Sequence, residues 1–121
     1  MKVNIYLRSV VQNGENCLAL FDTNRNGDIN NLTTVVPRGA LVIWKKDCCS
    51  GIKSITKIYS KKGERNVFKS DPVKRWLCKG FKLQVPDSAV GTEEYTIEYI
   101  LKDETKVKID PYIKILPPPV K

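Results

Sequence analysis

Tyr95-Thr96-Ile97-Glu98-Tyr99-Ile100-Leu101, the turn Lys102-Asp103-Glu104-Thr105 and the return Lys106-Val107-Lys108-Ile109 decide the fold class of this chain. Tyr95, Ile97, Tyr99 and Leu101 alternate with Thr96, Glu98 and Ile100, while Val107 and Ile109 alternate with Lys106 and Lys108. Period two sends alternate side chains to opposite faces of a pleated strand, so the two runs read as an antiparallel hairpin with one apolar face. The same pattern recurs upstream. Val3, Ile5 and Leu7 alternate within residues 3–11, Asn13-Gly14-Glu15-Asn16 is a turn signal, and Cys17 to Phe21 reads as the partner strand. After a polar loop from Asp22 to Asn31, Thr33 to Val36 is β-branched, Pro37-Arg38-Gly39 turns, and Ala40 to Lys45 is apolar enough to be a central strand.

Residues 52–59 fit two patterns. Ile52, Ile55 and Tyr59 would share a helix face, but three Ile and one Thr favour a strand, with a bulge explaining the imperfect alternation. One short helix is expected where Ser70 or Asp71 can cap, Pro72 suits the first turn, Val73, Trp76 and Leu77 share a face, and Gly80 ends it. Phe81 to Val85, a turn from Pro86 to Gly91, the hairpin, and Ile113 with Ile115 complete the series. Short strands at this spacing predict an all-β chain folded as a single β-sandwich of Greek-key type, with one short helix. The domain spans 1–115, and 116–121, with Pro117 to Pro119, form a stiff proline-rich tail. A chain of 121 residues buries roughly two-thirds of its unfolded surface, enough for one core without metal or disulfide staples.

The composition narrows the chemistry. There is no histidine, which removes Ser-His and Cys-His nucleophile pairs and imidazole metal sites. The adjacent carboxylates Glu93-Glu94 and Asp103-Glu104 would point to opposite faces of a strand and cannot converge on one substrate. The expectation is therefore a protein that is not an enzyme and carries no cofactor. Cys17, Cys48, Cys49 and Cys78 lack the C-x-x-C spacing of a zinc site, and a bond between the neighbours Cys48 and Cys49 would be strained. They read as free thiols of a cytoplasmic protein. Asn4 and Arg8 interrupt the N-terminal apolar stretch, and no run approaches the ~18 apolar residues that cross a bilayer, so no membrane partner is expected.

Two features carry functional suggestions. Asp22-Thr23-Asn24-Arg25-Asn26-Gly27-Asp28 matches the spacing of a calcium loop, with Asp22, Asn24, Asn26 and Asp28 as candidate ligands. Thr33 stands where the loop needs a bidentate Glu, so calcium binding should be weak, and a polar loop between strands is the plainer reading. The second feature is charge. The chain is +8 overall, and residues 45–82 alone carry twelve basic and three acidic side chains. Lys53 and Lys57 are expected on one sheet face with Tyr59, and Lys61, Lys62, Arg65, Lys74 and Arg75 extend the basic surface. Such a surface suits an acidic protein partner or, alternatively, nucleic acid or another polyanion. Lysine predominates where bidentate phosphate contacts favour arginine, which makes another protein the preferred partner.

The sequence also resembles a known scaffold. Val36-Pro37-Arg38-Gly39 followed by Val42-Ile43-Trp44, Phe68 with Asp71-Pro72, Gly91 leading to Glu94-Tyr95-Thr96-Ile97, and Ile109-Asp110-Pro111-Tyr112-Ile113 look like cupredoxin-like β-sandwiches. Immunoglobulin-like sandwiches share several of these features. The resemblance covers most of residues 1–115 and implies the scaffold alone. A blue-copper site uses two His and one Cys, so without histidine copper electron transfer is not implied. The function expected is a non-catalytic protein-interaction module, an accessory subunit docking on a larger partner through a basic face or an edge strand. Thiol titration of the denatured, unreduced protein should find about four free thiols; a count near zero would overturn both the cysteine reading and the compartment.

Overall fold

The computed structural model describes residues 2–21, 27–28, 33–47, 51–63, 66–75 and 80–116. Among the described residues eleven strands run in chain order: β1 (Lys2–Gln12), β2 (Glu15–Phe21), β3 (Gly27–Asp28), β4 (Thr33–Val36), β5 (Leu41–Lys46), β6 (Ile52–Ser60), β7 (Val73–Lys74), β8 (Phe81–Gln84), β9 (Thr92–Leu101), β10 (Lys106–Ile109) and β11 (Tyr112–Ile115). They form two sheets packed around one apolar core, as expected of a β-sandwich. The first sheet has the order β3-β2-β1-β5-β8-β7. In the second, β9 pairs with β6 along one edge and with β10 and β11 along the other, and β11 pairs onward with β4. Most pairings are antiparallel. The exceptions are β1 with β5 and β4 with β11, so both sheets are mixed.

Local chemistry accounts for these elements. Asn13 and Gly14 both have positive φ, 53° and 77°, and Gln12 pairs with Glu15, which makes a two-residue turn of the type that suits strand twist. The turn is tighter than the four residues read from the sequence, and Glu15 already belongs to β2. Strand β5 lies between β1 and β8, and Val42, Ile43 and Trp44 are buried, which explains its near-continuous apolar run. In β6 the register against β9 shifts twice, between Ile52 and Ser54 and between Ile55 and Lys57. Each shift adds a residue, so Ile52, Ile55 and Ile58 all reach the core at a spacing of three. That spacing is what made the segment resemble a helix.

The expected helix is absent among the described residues. Val73–Lys74 is instead an extended strand paired with Lys82 and Phe81 of β8. The cap is occupied elsewhere: Asp71 Oδ1 accepts a hydrogen bond from the Ser60 backbone N–H at 3.1 Å. Arg75 N donates to Gly80 O at 2.8 Å, bringing the chain back at a glycine with φ of 91°. A Cβ on Gly80 would lie 1.9 Å from the Trp44 carbonyl oxygen, so glycine lets β8 start hard against β5 rather than ending a helix. Trp76 and Leu77 lie outside the described residues, as do Pro117 to Pro119 of the expected tail.

The core centres on Trp44 from the first sheet, Tyr95 from the second and Phe68 from the loop that closes over them, all fully buried. Ring centroids lie 5.2 to 5.9 Å apart in edge-to-face or tilted arrangements, and Trp44 Nε1 donates to Tyr95 Oη at 3.1 Å. Buried Glu93, on the same strand as Tyr95, holds the loop: its Oε1 accepts from Val67 N at 2.8 Å and Phe68 N at 3.0 Å. Tyr95→Phe would leave the indole N–H buried without an acceptor. It should cost about 1–3 kcal/mol, read as a lower denaturation midpoint with an unchanged slope. Burial also pushes the Tyr95 phenol well above its usual range, and burial with Cys17 nearby pushes Tyr99 up to about 12. A raised folded pKa means that their contribution is fully present below the ordinary tyrosine value and declines as pH rises past it. Stability should therefore fall above about pH 10, and more shallowly in Tyr95→Phe.

Candidate docking surfaces

The outer face of the second sheet is a ladder of charges set by strand register. From β9 it presents Glu94, Thr96, Glu98 and Ile100, from β6 Ser54, Lys57 and Tyr59, and from β10 Lys106 and Lys108. Glu98 stands opposite Lys57 on one side and Lys108 on the other, so a carboxylate separates two lysines. Lys57 Nζ lies 4.8 Å from the centre of the Tyr59 ring. Glu98 holds the Tyr59 phenol above its ordinary pKa, chiefly by accepting its hydrogen bond.

Beyond Tyr59 the charges join into a network. Lys61 Nζ reaches Asp110 Oδ2 at 2.9 Å and Glu94 Oε2 at 3.4 Å, and Lys62 Nζ lies 3.9 Å from Glu94 Oε1. Thr96 Oγ1 donates to Asp110 Oδ1 at 2.7 Å. The Thr96 hydrogen bond first, and Lys61 second, hold the Asp110 carboxyl below the usual range, while Asp110 in turn raises Lys61. Farther along β6, Lys53 forms an ion pair with Glu104 in the β9–β10 turn.

The basic surface read from the sequence is thus divided. The first bulge of β6 makes Ser54, not Lys53, the row-mate of Lys57 across from β9. Lys74 and Arg75 belong to β7 and its end, on the edge of the other sheet, and Arg65 lies outside the described residues. Lys53, Lys61 and Lys62 face carboxylates supplied by residues 93–110, which are remote from them in sequence. Of the calcium candidates, Asp22, Asn24 and Asn26 lie outside the described residues. The backbone of Asp28 is in β3, beside Leu20. Among the described residues no group of three or more His, Cys, Asp or Glu could hold a metal ion.

The feature that sequence patterning did not bring out lies at the far edge of the same sheet. Strand β4 runs parallel to β11 with Thr33 beside Tyr112 and Val35 beside Lys114, and Leu116 N prolongs the ladder to Val36 O at 2.8 Å. Val36, Ile113 and Ile115 face the core, which turns Val35, Tyr112 and Leu116 outward at 50%, 42% and 53% exposure. Ile115 N donates to Gly91 O at 2.8 Å, bringing exposed Val90 to the same end. Among the described residues β4 pairs with β11 alone, so its other edge has no described strand beside it. The signal is present in the chain: Tyr112, Lys114 and Leu116 alternate with Ile113 and Ile115, and the outward set is as regular as the inward one.

Scans against protein-family models and against curated proteins give no match to this chain. No described helix is long and apolar enough to cross a membrane. The charge network itself is testable by NMR titration of Asp110. Lys61→Met should raise its carboxyl pKa partway toward the ordinary value and Thr96→Val should raise it further, because the hydroxyl is the larger cause. Stability held by this depressed carboxyl is present above the ordinary Asp pKa and lost as pH falls through the folded value.

Proposed function

We propose that the protein is a non-catalytic interaction module of the cytoplasm, an accessory subunit that takes an extended, net-acidic segment of a partner protein along the β4 edge. The observation that carries this reading is the exposed apolar trio Val35, Tyr112 and Leu116 beside an edge with no described neighbour. Strand addition would extend the sheet beyond β4, alternate side chains of the incoming segment would cover the trio, and Lys114 within the patch would meet an acidic residue. The net charge of +8 disfavours a second copy of the chain as occupant and favours an acidic one. The lysines of β6 are less suited to lead. Lys53, Lys61 and Lys62 already face carboxylates, and exchanging one exposed ion pair for another gains at most about 1 kcal/mol. The scaffold belongs to this reading as a cupredoxin-like or immunoglobulin-like sandwich without a copper site, which the mixed sheets and the buried Trp44 support.

The decisive comparison places a photo-cross-linking residue at position 35 or 57, with Val35→Asp and Lys57→Glu/Lys61→Glu/Lys62→Glu as competitor variants. A discrete partner should cross-link from position 35 and be displaced by the charge-reversed protein but not by Val35→Asp. Val35→Asp should melt within a few degrees of wild type, since exposed changes usually cost less than ~0.5 kcal/mol. The triple variant should melt lower but remain folded, because Lys61→Glu sets a carboxylate against Glu94 and Asp110. Cross-linking from position 57 alone, with affinity falling steeply as salt rises, would overturn the edge reading and indicate a nucleic acid or other polyanion.

A further inference from the structure

A second site lies away from β4, where β5 ends and β6 and β8 begin. A crevice of about 60 Å3 there is lined by Lys46, Lys53 and Lys74, with Ile55, Phe81 and Gly80 among its other walls. The three lysines come from β5, β6 and β7, so both sheets contribute. Register makes their placement unusual. Lys46 follows Trp44 at period two and Lys74 stands directly across from Phe81, so both are exposed continuations of rows whose neighbouring positions are buried aromatics. A sandwich that merely needed closing here would be served by apolar side chains. Instead, lysine stems extend from the apolar rows and bring ammonium groups to the mouth.

These cations are only partly balanced. Lys46 Nζ donates to the Lys53 carbonyl oxygen at 2.8 Å, a neutral acceptor that uses one of three donors. Lys53 is held by Glu104, and among the described residues Lys74 has no acidic partner. Among the described residues three lysines therefore line one crevice, and only Lys53 is paired with a carboxylate, Glu104. We propose that this crevice is an anion site that takes a single phosphate group, as inorganic phosphate or as a phosphomonoester. Its excess of two positive charges matches the charge of about −1.5 to −2 that such a group carries near neutral pH. Lysine serves as a point-charge phosphate ligand. The volume corresponds to roughly four to six waters, which admits a tetrahedral oxyanion and leaves any larger body outside.

The site is independent of the β4 reading, since it shares no residue with that edge. The test is an NMR titration with inorganic phosphate at ionic strength fixed by chloride, following the amides of Ser54 and Gly80. Saturable shifts are expected, with Lys46→Met and Lys74→Met each weakening the apparent Kd about tenfold or more and Lys114→Met leaving it unchanged. A parallel titration with phenyl phosphate separates the sources. Binding of both probes assigns the site to a phosphate on a larger molecule, and binding of inorganic phosphate alone assigns it to the free ion. Shifts that do not saturate, that chloride reproduces, or that survive in both lysine variants would overturn the proposal. If a variant fails to fold, the wild type still decides: phosphate must raise its melting temperature at fixed ionic strength, and no rise overturns the site.

Discussion

The hydrogen bond from the Trp44 indole to the Tyr95 phenol joins the two sheets through side chains that neither sheet could bury alone. Each ring brings a polar atom into the core, and each would be costly there without the other. Satisfying both fixes the relative position of β5 and β9, the strands around which the two sheets are built. Phe68 completes the aromatic group, and its loop is held by Glu93 from the position two before Tyr95. Strand β9 therefore supplies both the phenol that meets the indole and the carboxylate that anchors the cover over it.

The outside of β9 has a different task. Its outward Glu98 lies between Lys57 of β6 and Lys108 of β10, and Glu94 meets Lys61 and Lys62, so a chain with a large positive charge becomes locally balanced over much of one face. The distinctive parts of the surface lie at the margins of that ladder. At one edge an apolar trio accompanies a strand with no described neighbour on its outer side, and at one end three lysines line an apolar-walled crevice.

The period-two runs made the strands legible because each strand has one face in the core and one outside. The reading of β6 survived its irregular spacing because β-branched residues outweighed an apparent helical face. It failed at Val73, where a capping residue, a proline and a following glycine imitate a helix start and stop. Nothing in the local sequence shows that Asp71 is bound to Ser60, or that Gly80 is demanded by the carbonyl of Trp44. The ion pairs of the basic surface were not legible for a related reason. Lys53 and Glu104, or Lys61 and Asp110, are separated by about fifty residues and become neighbours only through the pairing of β6 with β9 and of β9 with β10 and β11. Composition by segment shows an excess but not its neutralisation.

The parallel pairing of β4 with β11 also bears on how the chain is made. Thr33 leaves the ribosome about eighty residues ahead of Tyr112, its partner. At about 5–20 residues per second, β4 waits on the order of 4–16 s with one side of its backbone unmatched by β11. Strand β1 waits similarly, though for less of the chain, before β5 arrives. Distant pairings of this kind slow folding and lengthen the exposure of strand edges to other chains. The shortness of β4, and the Pro37 that ends it, limit what a neighbouring nascent chain could seize during that interval.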